Sequence, residues 1–180
     1  MKLTLDLFGS ICNEYPVLTI IHNDHIVFSG TIVENSVVEI DMLLEDTNLI
    51  RLYGIGKSNG EANKWDTLLS SDGSILKDKY LKINNIRFDD ISMGAQWINS
   101  LSFKPDHSPT YHQFYGWYEN GSIEFSIDLP LLDWIIQEKF IKFEQSTATA
   151  TPTNARSGEI RFDYEYIQNK INLIKKILND

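Results

Sequence analysis

One cysteine, Cys12, is all that 180 residues contain. A lone thiol forms no intrachain disulfide and builds no cysteine-based zinc site, so Cys12 reads as a small buried or loop side chain. Long apolar runs are missing as well. No stretch approaches the ~18 consecutive apolar residues that cross a bilayer as a helix. The opening MKLTLDLFGS alternates polar and apolar residues, where a secretory signal needs an unbroken apolar run of about seven or more. The expectation is a protein kept in a reducing cytoplasm, or released from one inside a larger particle, with no membrane partner. Positive charge is scarce too: 16 Lys and Arg stand against 25 Asp and Glu, a net charge of −9. Neutralising a phosphate backbone needs a Lys/Arg patch, and none of any size occurs, which argues against a nucleic-acid partner.

Catalytic signatures are absent in the same way. There is no G-x-S-x-G elbow, no H-E-x-x-H and no Rossmann glycine pattern. The segment YGIGKSNG (53–60) lacks the G-x-x-x-x-G-K-[ST] spacing of a phosphate loop. Glu45 and Asp46 are carboxylates adjacent in sequence, and nothing sets them across a cleft. The expectation is a protein that is not an enzyme.

What is present is enough apolar sequence, 42% of the chain, for one full core. From Met1 to about Ile91 its period is that of strands. LTLDLFG (3–9) puts Leu3, Leu5 and Leu7 on one face. PVLTIIH (16–22) and HIVFSGTI (25–32) flank Asn23-Asp24, residues that tolerate the left-handed conformation of a tight hairpin. VVEIDML (37–43), NLIRLYGIG (48–56), YLKINNIRFDDI (80–91) and GSIEFSIDL (121–129) continue the series. Many short strands without long helices between them predict a mainly β, antiparallel β-sandwich of jelly-roll type over residues 1–144. The interval 57–79 reads as its longest loop. A helix is expected over 130–141, capped by Asp128.

A composition break at QSTATATPTNARSG (145–158) marks a polar linker or arm over 145–162. Beyond it, residues 163–180 predict an amphipathic helix, with Ile160, Tyr164, Ile167, Ile171, Ile174 and Leu178 spaced as an a/d stripe. So short a stripe needs a partner surface.

Aromatic residues crowd into HQFYGWYENGSIEFSIDLPLLDWI (112–135). Trp and Tyr faces stack on sugar rings and also anchor protein contacts. Packing in the core or against another protein is the commoner use of such a cluster. Tyr115, Trp117 and Tyr118 are therefore the candidates for partner contact, together with Ile167, Ile171, Ile174 and Leu178 for helix docking. Trp65, Trp97 and Trp117 are the candidates for a glycan platform. The loop WDTLLSSDGSILKD offers Asp66 and Asp72 as oxygen ligands for calcium, although it lacks the D-x-[DN]-x-[DN]-G register and SSDGS is explained as a turn around Gly73. His22 and His25 flank the hairpin turn without a third metal ligand, and His107 and His112 have no evident partner.

The string NLIRLYGIGKSNG…KWDTLLSSDGSILKDKYLKINNIRFDDI, preceded by a hairpin pair of strands, resembles small virion-associated proteins of T4-like tailed phages. Those are similar in turn to calcium-dependent carbohydrate-binding β-sandwich modules. The resemblance covers about residues 1–94, with FYGWYENG…FSIDLPLLDWI as a second shared element. It departs at DTLLSSDG, where serine stands in place of further acidic ligands. The resemblance implies a structural or accessory part of a phage particle, assembled in the host cytoplasm and contacting other virion proteins or copies of itself, as a homo-oligomer. The alternative, from a different class, is a carbohydrate-binding module for host surface glycans, with or without calcium.

Overall fold

In a computed structural model the chain is described at residues 1–55 and 66–138. The alternating segments form strands in the positions their period dictates: β1 (Lys2–Ser10), β2 (Val17–His22), β3 (His25–Thr31), β4 (Ser36–Asp41) and β5 (Thr47–Ile55). After residues 56–65 come β6 (Thr67–Leu69), β7 (Ile75–Asp78), β8 (Tyr80–Phe88) and β9 (Ile91–Ser92). Helix α1 (Gly94–Ser100), β10 (Phe103–Pro105), β11 (Gly121–Asp128) and α2 (Leu131–Ile136) complete the described chain.

These strands make an antiparallel β-sandwich. One sheet has the order β4-β1-β8-β9 and the other β10-β11-β5-β2-β3. The expected apolar face of β1 is the buried one: Leu3, Leu5 and Leu7 are at most 1% exposed. Leu81, Ile86 and Phe88 join them from β8, and the second sheet faces them with Leu18, Ile20, Ile50, Leu52, Ile123, Phe125 and Ile127 in one core. Each such side chain contributes about 1.5–3 kcal/mol of burial free energy, which fixes the register of both sheets. The β2–β3 hairpin turns on Asn23 and Asp24, with φ of 45° and 65°. That is the left-handed pair a two-residue hairpin demands.

Two expectations need correction, and one element is new. The 57–79 interval is not loop throughout: β6 and β7 pair as a separate two-stranded hairpin, turned by Ser70–Ser74. Strands of three and four residues leave too little alternation to be recognised by period. Helix α1 was not expected, since only Trp97 and Ile98 of its seven residues are buried and so short an apolar signal has no measurable period. Finally, Asp128 does not cap α2. Pro130 occupies the N-cap position with no side-chain cap bond, while Asp133 supplies the acidic residue of the first turn. The linker at 145–162 and the helix at 163–180, with Ile167, Ile171, Ile174 and Leu178, lie outside the described residues.

Candidate functional site

The aromatic residues sort by chemistry. Trp97, Trp117 and Trp134 are inside, at 5%, 0% and 5% exposure, whereas Tyr111, Tyr115 and Tyr118 are exposed at 47%, 61% and 46%. Trp97 and Trp134 belong to an edge-to-face box with Phe88 and Phe125, at centroid distances of 5.2 to 6.4 Å. The Trp97 indole N–H donates to Glu138 Oε2 at 2.9 Å. Trp117 fills the end of the sandwich, 4.6 Å from Phe114 between ring centres, and its Nε1 donates to the Gly121 carbonyl at 3.0 Å. Neither Trp97 nor Trp117 has a ring face free for a sugar or a partner subunit, so both are structural rather than the contact residues the sequence suggested. Trp65 lies outside the described residues. Tyr115 and Tyr118, the other contact candidates, do face solvent.

The segment 106–120 that carries the tyrosines is irregular yet tied to both sheets. Trp117 and Leu81 exchange backbone hydrogen bonds at 2.7 and 3.0 Å, which pins the segment to β8. Tyr111 and Phe103 exchange two more at 2.8 Å each, which pins it to β10. At its base, the Asp106 N–H donates to the Asn120 carbonyl at 3.0 Å, and the Tyr53 hydroxyl donates to Asp106 Oδ2 at 2.6 Å. The hydrogen bond to Asp106, with burial and the carboxylate's charge, pushes the Tyr53 phenol up to about 12. Gly116 has φ of 137°, and a Cβ there would lie 2.9 Å from the Leu81 carbonyl oxygen. Only glycine allows the chain to pass so close to β8.

Between these ties lies an open groove of about 530 Å³. Tyr111, Tyr115 and Tyr118 give it apolar walls, Phe103 and Gly116 contribute from below, and Thr110, His112, Gln113 and Glu119 add polar groups. Tyr115 donates its hydroxyl to Gln113 Oε1 at 2.6 Å, and Ser108 donates to Glu119 Oε2 at 3.3 Å. Beyond the rim, Tyr118 lies 5.5 Å from Tyr80, which lies 5.9 Å from Phe8. Concave apolar walls with a few fixed polar groups are the usual composition of a small-molecule site. Sequence reasoning places the contact on the aromatic 111–118 face and names Tyr115 and Tyr118 there, but it does not name Tyr111 or Gln113 and does not reach Glu119. The available signal was the tyrosine spacing at 111, 115 and 118 within a stretch rich in small and polar residues.

The calcium candidates are committed elsewhere. Asp66 is 5% exposed and ion-paired with Lys79 at 3.5 Å. Asp72 is exposed and accepts from Ser70 Oγ and from the Ser74 N–H. Those bonds hold its carboxyl down at about 2. Each therefore serves its own local structure, and among the described residues no three His, Cys, Asp or Glu side chains cluster as a metal set. His22 is buried against Asn48 Oδ1 at 3.1 Å while His25 is exposed, so the two do not form a ligand pair.

No family model matches the sequence, and no curated protein does. Among solved structures, one described as "vCBM60 in complex with galactobiose" is similar at a TM-score of 0.45 and 14% identity; the alignment covers 69% of this chain and 97% of that one.

Proposed function

We propose that the chain is a non-catalytic binding module that takes a glycan in the tyrosine groove. The observation that carries this reading is the division of the aromatics: Tyr111, Tyr115 and Tyr118 stand 46% to 61% exposed on a segment that buried Trp117 and Phe114 hold in place. Exposed rings on a fixed segment lose little entropy on binding, and a sugar's C–H face stacks on them while His112, Gln113 and Glu119 meet its hydroxyls. Open grooves of this kind accept one strand of a polysaccharide without enclosing it. Titration of a glycan panel against the isolated full chain, read by NMR shifts, tests the reading. Saturable shifts confined to residues 103–119 support it, and no shift at millimolar glycan refutes it.

A second reading, docking to neighbouring proteins of a phage particle, has its own observation. The edge strands β3 and β4, one from each sheet, carry exposed aliphatics: Ile26 is 67% exposed, Val37 59%, and Leu43, just past β4, 90%. Uncovered aliphatics along sheet edges favour a protein partner. Under this reading the protein works in the virion and the groove presents it to a host surface. Ile26→Lys together with Val37→Lys would then prevent incorporation into particles without lowering the melting temperature.

A further inference from the structure

Among the described residues, Lys82 is a cation beside the groove that the ion pairs leave over. Lys2, Arg51, Lys79 and Arg87 each hold a carboxylate, at 2.5 to 3.5 Å. Among the described residues none is paired with Lys82, which is half-buried on β8. Its ammonium stands 5.1 Å from the centre of the Tyr80 ring and 5.9 Å from that of Tyr118. Its Cγ would lie 3.0 Å from a Cβ on Gly116, so its stem passes close against the backbone of the groove segment. Ring faces compensate only part of an ammonium's charge. In a chain of net charge −9, a positive group at the lip of an aromatic groove is a local reversal of sign.

The rings also extend the groove. Phe8 is the cross-strand neighbour of Lys82 in the β1–β8 ladder. Phe8, Tyr80 and Tyr118 follow one another at 5.9 and 5.5 Å, with planes inclined by 32° and 28°. The row leads from the groove onto the outer face of the four-stranded sheet, which is longer than a single sugar ring. Lys82 stands beside Tyr80 and Tyr118, so an anionic group of the ligand belongs at that end of the row.

We infer that the ligand is an acidic oligosaccharide, laid along Tyr111, Tyr118 and Tyr80, with a sugar carboxylate met by Lys82. This rests on the glycan reading above and specifies its chemistry. The test is calorimetric titration of the full chain with trigalacturonate, with its carboxyl-reduced neutral counterpart, and with tetra-glutamate as an anion without sugar rings. The expected result is about tenfold tighter binding of trigalacturonate than of the reduced trisaccharide. Lys82→Met should abolish that gap while Tyr115→Ala weakens both sugars, with the melting temperature of each variant unchanged. Equal affinity for the two trisaccharides, indifferent to Lys82→Met, overturns the inference and leaves the glycan reading standing. Tetra-glutamate binding as tightly as trigalacturonate overturns it by showing that charge alone is read. Failure of both trisaccharides to bind overturns the inference and counts against the glycan reading with it.

Discussion

Gly54 and Trp117 are a matched pair: a Cβ on Gly54 would lie 2.8 Å from the indole Cδ2, so the ring occupies the space a side chain on β5 would need. Gly54 sits opposite Gly121 in the β5–β11 ladder, and Gly121 supplies the carbonyl that the indole N–H bonds. The slot between two glycines is what lets a tryptophan in an irregular segment become part of the core. Gly54→Ala should therefore cost about 1–3 kcal/mol, because an indole surrounded by packed neighbours has no room to retreat. A denaturant melt of the variant measures it, and an unchanged midpoint would show that the ring can shift.

Trp117 and Tyr115 are two residues apart and should behave oppositely. Trp117→Ala removes a fully buried indole and is expected to destabilise by about 3–5 kcal/mol. Tyr115→Ala removes a ring that is 61% exposed and should change stability by no more than ~0.5 kcal/mol. If the groove binds a glycan, the same variant loses a stacking partner worth roughly 1 kcal/mol, about a fivefold loss of affinity. Thermal melts and titrations on the two variants give the comparison. A Tyr115 variant as unstable as the Trp117 variant would make the rim part of the core.

That opposition also marks where the sequence was legible and where it was not. Leu3, Leu5 and Leu7 advertised a buried face because alternation is a local property of a strand. Asn23-Asp24 advertised a hairpin because left-handed φ is a local property of a turn. The inward turn of Trp117 is not local. It depends on backbone bonds to Leu81, on a slot at Gly54 and on a carbonyl at Gly121, and no periodic pattern connects these. Aromatic residues in an irregular segment carry the same signal whether they face in or out, so sequence alone groups Trp117 with Tyr115 and Tyr118. The tyrosine groove was half visible for that reason, its residues named but its partition unseen.

The Asp66–Lys79 pair closes the base of the β6–β7 hairpin, Asp66 just before β6 and Lys79 just after β7. Both side chains are nearly enclosed, at 7% and 5% exposure, and the Lys79 N–H also donates to the Asp66 carbonyl at 2.8 Å. Lys79→Met removes a charged partner from a buried carboxylate and should cost about 3–5 kcal/mol. Replacing both partners by apolar residues of similar size should recover much of that loss, since the desolvation of two charges disappears with them. A double-mutant cycle read by chemical denaturation gives the coupling, and strictly additive losses would show that the two groups do not interact.

The Tyr53–Asp106 bond makes the base of the groove segment sensitive to alkaline pH, with a sign that follows from the shift. The Tyr53 phenol is raised from 10.0 to about 12, chiefly because its hydroxyl donates to Asp106. Between those values the folded chain retains a proton that the unfolded chain has released. Stability from this bond is therefore complete below pH ~10 and is lost as the pH climbs toward 12. Because Tyr53 is 36% exposed, solvent screening keeps the effect small in energy. The clearer readout is spectroscopic: Tyr53 should give a late step in an ultraviolet titration. Tyr53→Phe should remove that late step, and Asp106→Asn should bring it down toward an ordinary phenol. In both variants the tyrosine groove should loosen at neutral pH, seen as faster amide exchange across residues 106–120. A late step that survives Tyr53→Phe would assign it to another phenol and detach the groove segment from this bond.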